Sequence, residues 1–217
     1  MNTPHLTNEQ VHPAFESKFL NVYGLEYIEG KQYMNATRRG KADLAALKDE
    51  ASFKSMLPDA VSCIVIVKGE KPRLLLTYEF RYPLGQYVLS IPAGLIDPAD
   101  KLKSEPILET AKRELKEEAN IELSDKDSIF TVSPLLFSTP GMTDESNALV
   151  CVIIDDESTL NLSHEGAEGT EMFEDFFLLD KAEATRILKQ GRDDRGIFYS
   201  MYTWAALIYF ISDSYLL

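Results

Sequence analysis

Residues 104–123 read SEPILETAKRELKEEANIEL. Leu108, Ala111, Leu115 and Ala119 recur at intervals of three and four, the spacing of one buried stripe on an amphipathic helix. A helix with such a stripe must pack against an apolar surface, and this constrains the chain more than any other stretch. On a helical wheel Glu114 and Glu118 share one flank of the stripe, while Glu117 turns further outward. Like charges at that spacing cost an isolated helix about 0.2–0.5 kcal/mol per pair. A solvated charged face accounts for Glu109, which can pair with Arg113, and for Lys112 and Lys116. It does not account for Glu114 and Glu118, two acids at the rim of a buried face. Partly desolvated like charges need a counter-charge or a raised pKa. A hard divalent cation such as Mg2+ or Mn2+ suits carboxylates with no Cys or His beside them. His5, His12 and His164 lie far off in sequence and receive no role.

The remaining pattern supplies the surface. After a loose tail over 1–15, KFLNVYGLEYI and KQYMNATRRG read as two strands turning at Glu29-Gly30. ADLAALKDEASF reads as a weakly helical connector. AVSCIVIVKG, RLLLTYEFRY and QYVLSIPAGLI read as strands, the last stopping at Pro92-Ala93-Gly94. IFTVSPLLFSTPG, NALVCVIID and MFEDFFLL are strand-like, and DKAEATRILKQG and SMYTWAALIYFISDS are helical. Ser104 is the expected N-cap of the glutamate helix, with Pro106 in its first turn. Many strands with few helices in this order define an α+β class, a mixed β-sheet with helices packed on it. We expect an N-terminal tail, antiparallel strand pair and connector over 1–57, and the main domain over 58–217.

Charge and cysteines narrow the function. A net charge of −13 argues against nucleic acid, whose phosphates need clustered Lys and Arg. No apolar run is long enough to span a bilayer, and the first ten residues, MNTPHLTNEQ, lack a signal-peptide core. Cys63 and Cys151 sit inside apolar runs and read as buried thiols of a reducing compartment. The expectation is a cytoplasmic protein with a small-molecule partner.

The glutamate helix resembles the Nudix box: Gly, five residues, Glu, seven residues, then Arg-Glu-aliphatic-x-Glu-Glu-x-Gly-aliphatic. Here Gly94 is followed, further on, by Glu105 and then, after seven residues, by Arg113-Glu114-Leu115-Lys116-Glu117-Glu118-Ala119-Asn120-Ile121. Ten residues separate Gly94 from Glu105. Either five residues are inserted before Glu105, or Asp100 takes the first acid's place and the insertion follows it. The intact Glu105–Arg113 spacing favours the first. Asn120 stands for the closing Gly, a mild change, because Asn is the next best residue at positive φ.

The flanks are similar to the ADP-ribose pyrophosphatase branch: Phe80-Arg81-Tyr82-Pro83, then Ser90-Ile91-Pro92-Ala93-Gly94, and later Ser138-Thr139-Pro140-Gly141. That branch usually has Glu where this chain has Ser90. The resemblance implies a Nudix fold, a mixed sheet sandwiched by helices, and metal-dependent hydrolysis of ADP-ribose or an ADP-sugar to AMP and a sugar phosphate. Metal would neutralise the diphosphate and lower the pKa of a bound water. Other nucleoside diphosphate derivatives, or a ligand-binding module without catalysis, are the alternatives. By resemblance the metal ligands are Glu114, Glu117, Glu118 and the Ala93 carbonyl, with Arg113 orienting the carboxylates. Arg81 would meet the diphosphate or ribose, and Tyr33 with Arg38 the base and phosphate; Gly141 joins this binding group. The proton-accepting acid comes from HEGAEGTEMFEDFF, with Glu171 first and Glu168 second among Glu165, Glu168, Glu171 and Glu174. Homodimerisation through the N-terminal strands is also implied.

Overall fold

The computed structural model describes residues 4–167 and 169–216. The chain divides into two compact units, Met1–Asp59 with Leu135–Asn147, and Ala60–Pro134 with Ala148–Leu217. The first unit therefore includes a segment, 135–147, that a simple division after residue 57 leaves out.

In the first unit β1 (Val11–Phe15), β2 (Asn21–Ile28) and β3 (Lys31–Thr37) form an antiparallel sheet in that order. The Glu29-Gly30 turn is present, with Gly30 at φ 73°. The loose tail expected over 1–15 is corrected by β1, whose Val11 is buried and pairs with Leu25. Its short VHPAF run carries a proline and no clear alternation, so only pairing with β2 reveals it as an edge strand. Tyr23, Leu25 and Leu44 close this unit's core. The connector is mostly single tight turns, with one short helix, α1 (Glu50–Lys54), capped by the Asp49 side chain. Arg39 anchors the returning segment through Asp59 at 2.8 Å and the Ser146 hydroxyl at 3.1 Å.

The second unit is built on a seven-stranded sheet. Its elements in chain order are β4 (Ala60–Val67), β5 (Arg73–Arg81), β6 (Gln86–Ser90), β7 (Ala93–Leu95), α2 (Pro106–Ala119), β8 (Ser128–Phe137), β9 (Ser146–Ile154), β10 (Phe173–Leu179), α3 (Lys181–Gln190) and α4 (Met201–Ile211). The main order is β10-β5-β4-β9-β8, with β6 on β5 and β7 on β4. β5 runs antiparallel to β4, β6 and β10. β4 and β9 run parallel: the Asp59 N–H bonds the Ser146 carbonyl at their start, and the Lys68 N–H bonds that of Ile154 at their end. The mixed α+β architecture is as expected.

All of β4 is buried, because both faces of this sheet are covered. Val61, Cys63, Val65 and Val67 join Ala111, Leu115 and Ala119 of α2 in one core cluster. Ile64 and Ile66 join Ala184 and Ile187 of α3 and Ala206, Leu207 and Phe210 of α4 in the other. α2 begins at Pro106, with Glu105 rather than Ser104 as its N-cap, and ends at Asn120 with φ 53°. α3 carries a capping box from Asp180 and Glu183 and ends at Gly191, φ 66°.

Candidate functional site

The docking of α2 sets its carboxylates. With Ala111, Leu115 and Ala119 pressed on β4, the neighbouring flank turns toward β7, and Glu114 and Glu118 are buried at 6% and 3% exposure. Glu117 is half-buried. β7 approaches α2 closely at Gly94, where a Cβ would lie 1.9 Å from the Glu114 carboxylate. Glu118 accepts the Ala93 N–H at 2.9 Å. Ala93 thus meets the cluster through its N–H.

Arg113 is the hub. Its Nη1 donates to Glu117 at 2.7 Å, its Nη2 pairs with Glu114 at 2.8 Å and donates to the Leu95 carbonyl at 2.8 Å, and its Nε donates to Asp100 at 3.1 Å. Asp100 is buried and also accepts the Thr110 hydroxyl at 3.2 Å. Glu105 is exposed and makes no side-chain capping bond. The preference for Glu105 as the first acid of the box is therefore corrected. Asp100, with five residues between it and Gly94, holds that place against Arg113, and the insertion follows it. Glu109 pairs with Lys112 at 2.8 Å, while Arg113 turns to the cluster.

One guanidinium does not balance this many acids. Burial, and then the charges of Glu117 and Glu171 against the opposing pull of Arg113, push Glu114 up to about 7. Burial pushes Glu118 well above the carboxylate range, with Glu79, Glu114 and Glu171 adding to it. Burial lowers the proton affinity of Arg113, but Glu114, Asp100 and Glu117 outweigh it and hold the guanidinium firmly charged.

Two further acids belong here. Glu171 lies two residues ahead of β10, and its charge raises Glu79, Glu114 and Glu118. Glu168 lies outside the described residues. Glu79, which sequence reasoning missed, stands on β5. Burial, opposed by Arg81 and reinforced by Glu171, pushes its carboxyl up to about 7. Thr77 of β5 faces Ser90 of β6, and Glu79, two residues on, shares that face of the sheet. A carboxylate thus stands one strand away from the position where Ser90 lacks one. The two-residue alternation of Thr77, Glu79 and Arg81 was the available signal. Arg81 pairs with Glu79 at 2.5 Å and is otherwise exposed.

In the first unit the Tyr33 hydroxyl donates to the Gly141 carbonyl, and Arg38 Nε pairs with Glu145 at 2.6 Å. Tyr33 and Gly141 are thus brought into contact, and Arg38 meets a different residue of the same returning segment. Tyr33 also lines a cavity of about 310 Å³ with Tyr27, Phe53, Phe137 and Met142.

The donors around α2 are oxygens, the buried acids exceed the nearby cations, and the Glu114 carboxylate takes the space at Gly94 that a side chain would fill. This chemistry fits a hard divalent cation. Among the described residues no three Asp, Glu, His or Cys side chains already stand together as a metal cage. Arg113 engages Glu114 and Glu117, and Glu118 turns to Ala93, so an ion would have to draw the carboxylates from these partners.

A mixed sheet whose short strand β7 lies against such an acidic helix defines an α+β domain with a cluster of buried oxygen donors. The chain belongs to the Nudix hydrolase family: the NUDIX domain model matches residues 56–199. It is 38% identical over 104 residues to a Caenorhabditis elegans protein named as nudix hydrolase 2, covering 48% of this chain and 43% of that protein. It is 33% identical over 100 residues to the ADP-ribose pyrophosphatase of Saccharomyces cerevisiae, covering 45% and 39%. The chain thus spans about two fifths of the length of these two relatives. The crystal structure of an ADP compounds hydrolase shares the fold, with a TM-score of 0.61 and 18% identity over 100% of this chain and 96% of the other. Nudix hydrolases generally use divalent metal ions and act on small nucleotide-diphosphate substrates.

Proposed function

We propose that this chain hydrolyses the diphosphate bond of ADP-ribose or a related ADP-sugar, with Mg2+ or Mn2+, to AMP and a sugar phosphate. The observation that carries the reading is the buried Glu114–Glu118 pair set against Gly94, with Glu171 and Glu79 acting on it from neighbouring elements. The similarity to a protein named ADP-ribose pyrophosphatase supports the substrate class.

Glu114, Glu117 and Glu118, with the Ala93 carbonyl, would hold the cation. Bound there, it would offset the diphosphate charge and lower the pKa of a water. Arg113 holds Glu114 and Glu117 in place, as charge-assisted bonds do. Glu171 accepts the proton of the attacking water, and Arg81, released from Glu79, meets the diphosphate. Tyr33, Arg38 and Gly141 serve base and phosphate binding, for which Arg38 must leave Glu145. A homodimer and a cytoplasmic location complete the proposal.

The test is AMP release from ADP-ribose with and without Mg2+, beside other nucleotide sugars and dinucleotides. Metal-dependent AMP formation is expected, and a folded Glu118→Gln protein should lose more than the about 10–100-fold typical of losing a metal ligand's outer partner. Full turnover by Glu118→Gln would remove the ligand assignment. Turnover of a different panel member would retain the metal site and discard the ADP-ribose reading.

A further inference from the structure

His164 has no part in the chemistry above, yet it touches both sides of the site. Its Nδ1 lies 2.6 Å from the Glu118 carbonyl oxygen at the end of α2, and its Nε2 lies 2.7 Å from the Glu174 carbonyl oxygen of β10. The Thr77 hydroxyl, 3.2 Å from Nε2, donates to the same Glu174 carbonyl at 3.1 Å. The ring stacks parallel to Phe173 at 4.7 Å and Phe176 at 3.9 Å. Carbonyl oxygens only accept, so a neutral imidazole bonds one of the two and a ring protonated on both nitrogens bonds both.

The loop around His164 covers the open end of α2. The last four carbonyls of a helix lack intrahelical donors. Here His164 meets that of Glu118, the Ser163 N–H donates to that of Ala119 at 3.4 Å, and the Asn120 side chain donates to the Asn161 carbonyl at 2.9 Å. Gly166 lies so close that a Cβ would stand 2.7 Å from the Glu117 carbonyl oxygen and 3.1 Å from its Cα. Further along, the Tyr82 hydroxyl donates to the Thr170 carbonyl at 2.7 Å, and the Phe80 N–H to that of Met172 at 2.8 Å, beside Glu171. Glu118 thus meets the site's surroundings twice, its carbonyl against the His164 ring and its carboxylate on the Ala93 N–H.

We propose that His164 is a positioning residue for the cation site: it locks the β9–β10 loop to the last turn of α2 and to β10, and so sets Glu118 and the Glu171 segment in register. This rests on the metal-site reading above. Outer partners of metal ligands typically contribute about 10–100-fold in affinity or activity, and a displacement of about 1 Å can cost about 100-fold in rate.

The experiment is a Mn2+ titration followed by electron paramagnetic resonance, with kcat and KM for ADP-ribose measured alongside. His164→Phe keeps a ring against Phe173 and Phe176 but removes every hydrogen bond of the imidazole, His164→Gln restores part of them, and Gly166→Ala displaces the loop by an unrelated route. Circular dichroism selects the folded variants. Mn2+ affinity about 10–100-fold weaker in His164→Phe or Gly166→Ala, with His164→Gln intermediate, is expected, as is a matching fall in kcat with KM within about twofold. If only His164→Gln folds, its weakened Mn2+ binding decides alone. Mn2+ binding within about threefold of wild type in the folded variants would overturn the proposal, as would a rise in KM with kcat unchanged. A wild type that binds Mn2+ but turns over no panel substrate would sink the hydrolase reading, and the titration would still decide this one. A wild type that binds no Mn2+ would overturn both.

Discussion

Gly94 shows how narrow the tolerance is at single positions. Its backbone is not in the left-handed region, so space rather than conformation demands glycine. An added Cβ would occupy the place of the Glu114 carboxylate. Gly94→Ala should therefore displace Glu114, weaken divalent-cation activation by about 10–100-fold and cost about 1–3 kcal/mol of stability. Cation-activation curves and denaturant unfolding of the same preparation check both figures. A variant with wild-type activation would show that Glu114 can shift without consequence. At this scale the box residues were readable from the sequence, because helix periodicity and charge type are local. The choice between Asp100 and Glu105 was not. Spacing to Arg113 favoured Glu105, and only the path of the intervening loop brings Asp100 to the guanidinium. Glu79 and His164 were missed for the same reason, since their partners lie across strands and loops.

At the scale of elements, α2 matters most, because its burial places the carboxylates. Leu115 is fully buried among Val61, Cys63 and Val65 of β4 and its neighbours. Leu115→Ala should cost about 2–5 kcal/mol, seen as a lower denaturant midpoint with an unchanged slope. A loss under about 1 kcal/mol would mean that α2 is not anchored through this stripe. The stripe could be read directly, as could β4, whose continuous apolar run fits a strand covered on both faces. β1 could not, because an edge strand draws its order from its neighbour. The end of α2 was readable in kind: Asn120 takes the positive φ expected of it. Its side-chain bond to Asn161, which a glycine could not make, appears only in the fold.

For the whole molecule, the raised carboxyls couple stability to pH and, through the proposed cation site, to metal. Glu79 and Glu114 hold protons up to about 7 in the folded chain, and burial raises Glu118 well above the ordinary carboxylate value of about 4.3. Below about 4.5 both folded and unfolded chains are protonated and the contribution is fully present. As pH rises through about 7 the folded chain must release protons from buried acids, and the contribution is lost. In chelator, Tm should fall between about pH 5 and 8, by several degrees if about 2 kcal/mol is involved, since about 1 kcal/mol moves a domain of this size about 2–4 °C. Mg2+ should offset the fall at the upper end, because the deprotonated acids are the proposed ligands. Calorimetry across that range with and without Mg2+ is the check. A flat profile, or no Mg2+ effect at pH 8, would contradict the burial of these groups as the cause. The net charge of −13 adds repulsion in the same direction, so a flatter profile in Glu79→Gln would isolate the site's share.

From residue order alone followed the α+β class, the acidic helix, its buried stripe and the carboxylates on its flank, all of which depend on periodicities within a few residues. Tertiary structure decided which acid meets Arg113, that Glu79 joins the cluster, that residues 135–147 belong with the N-terminal strands, and that His164 spans α2 and β10. These depend on contacts between segments far apart in the chain, and their geometry is set by packing and strand register, which no local pattern encodes.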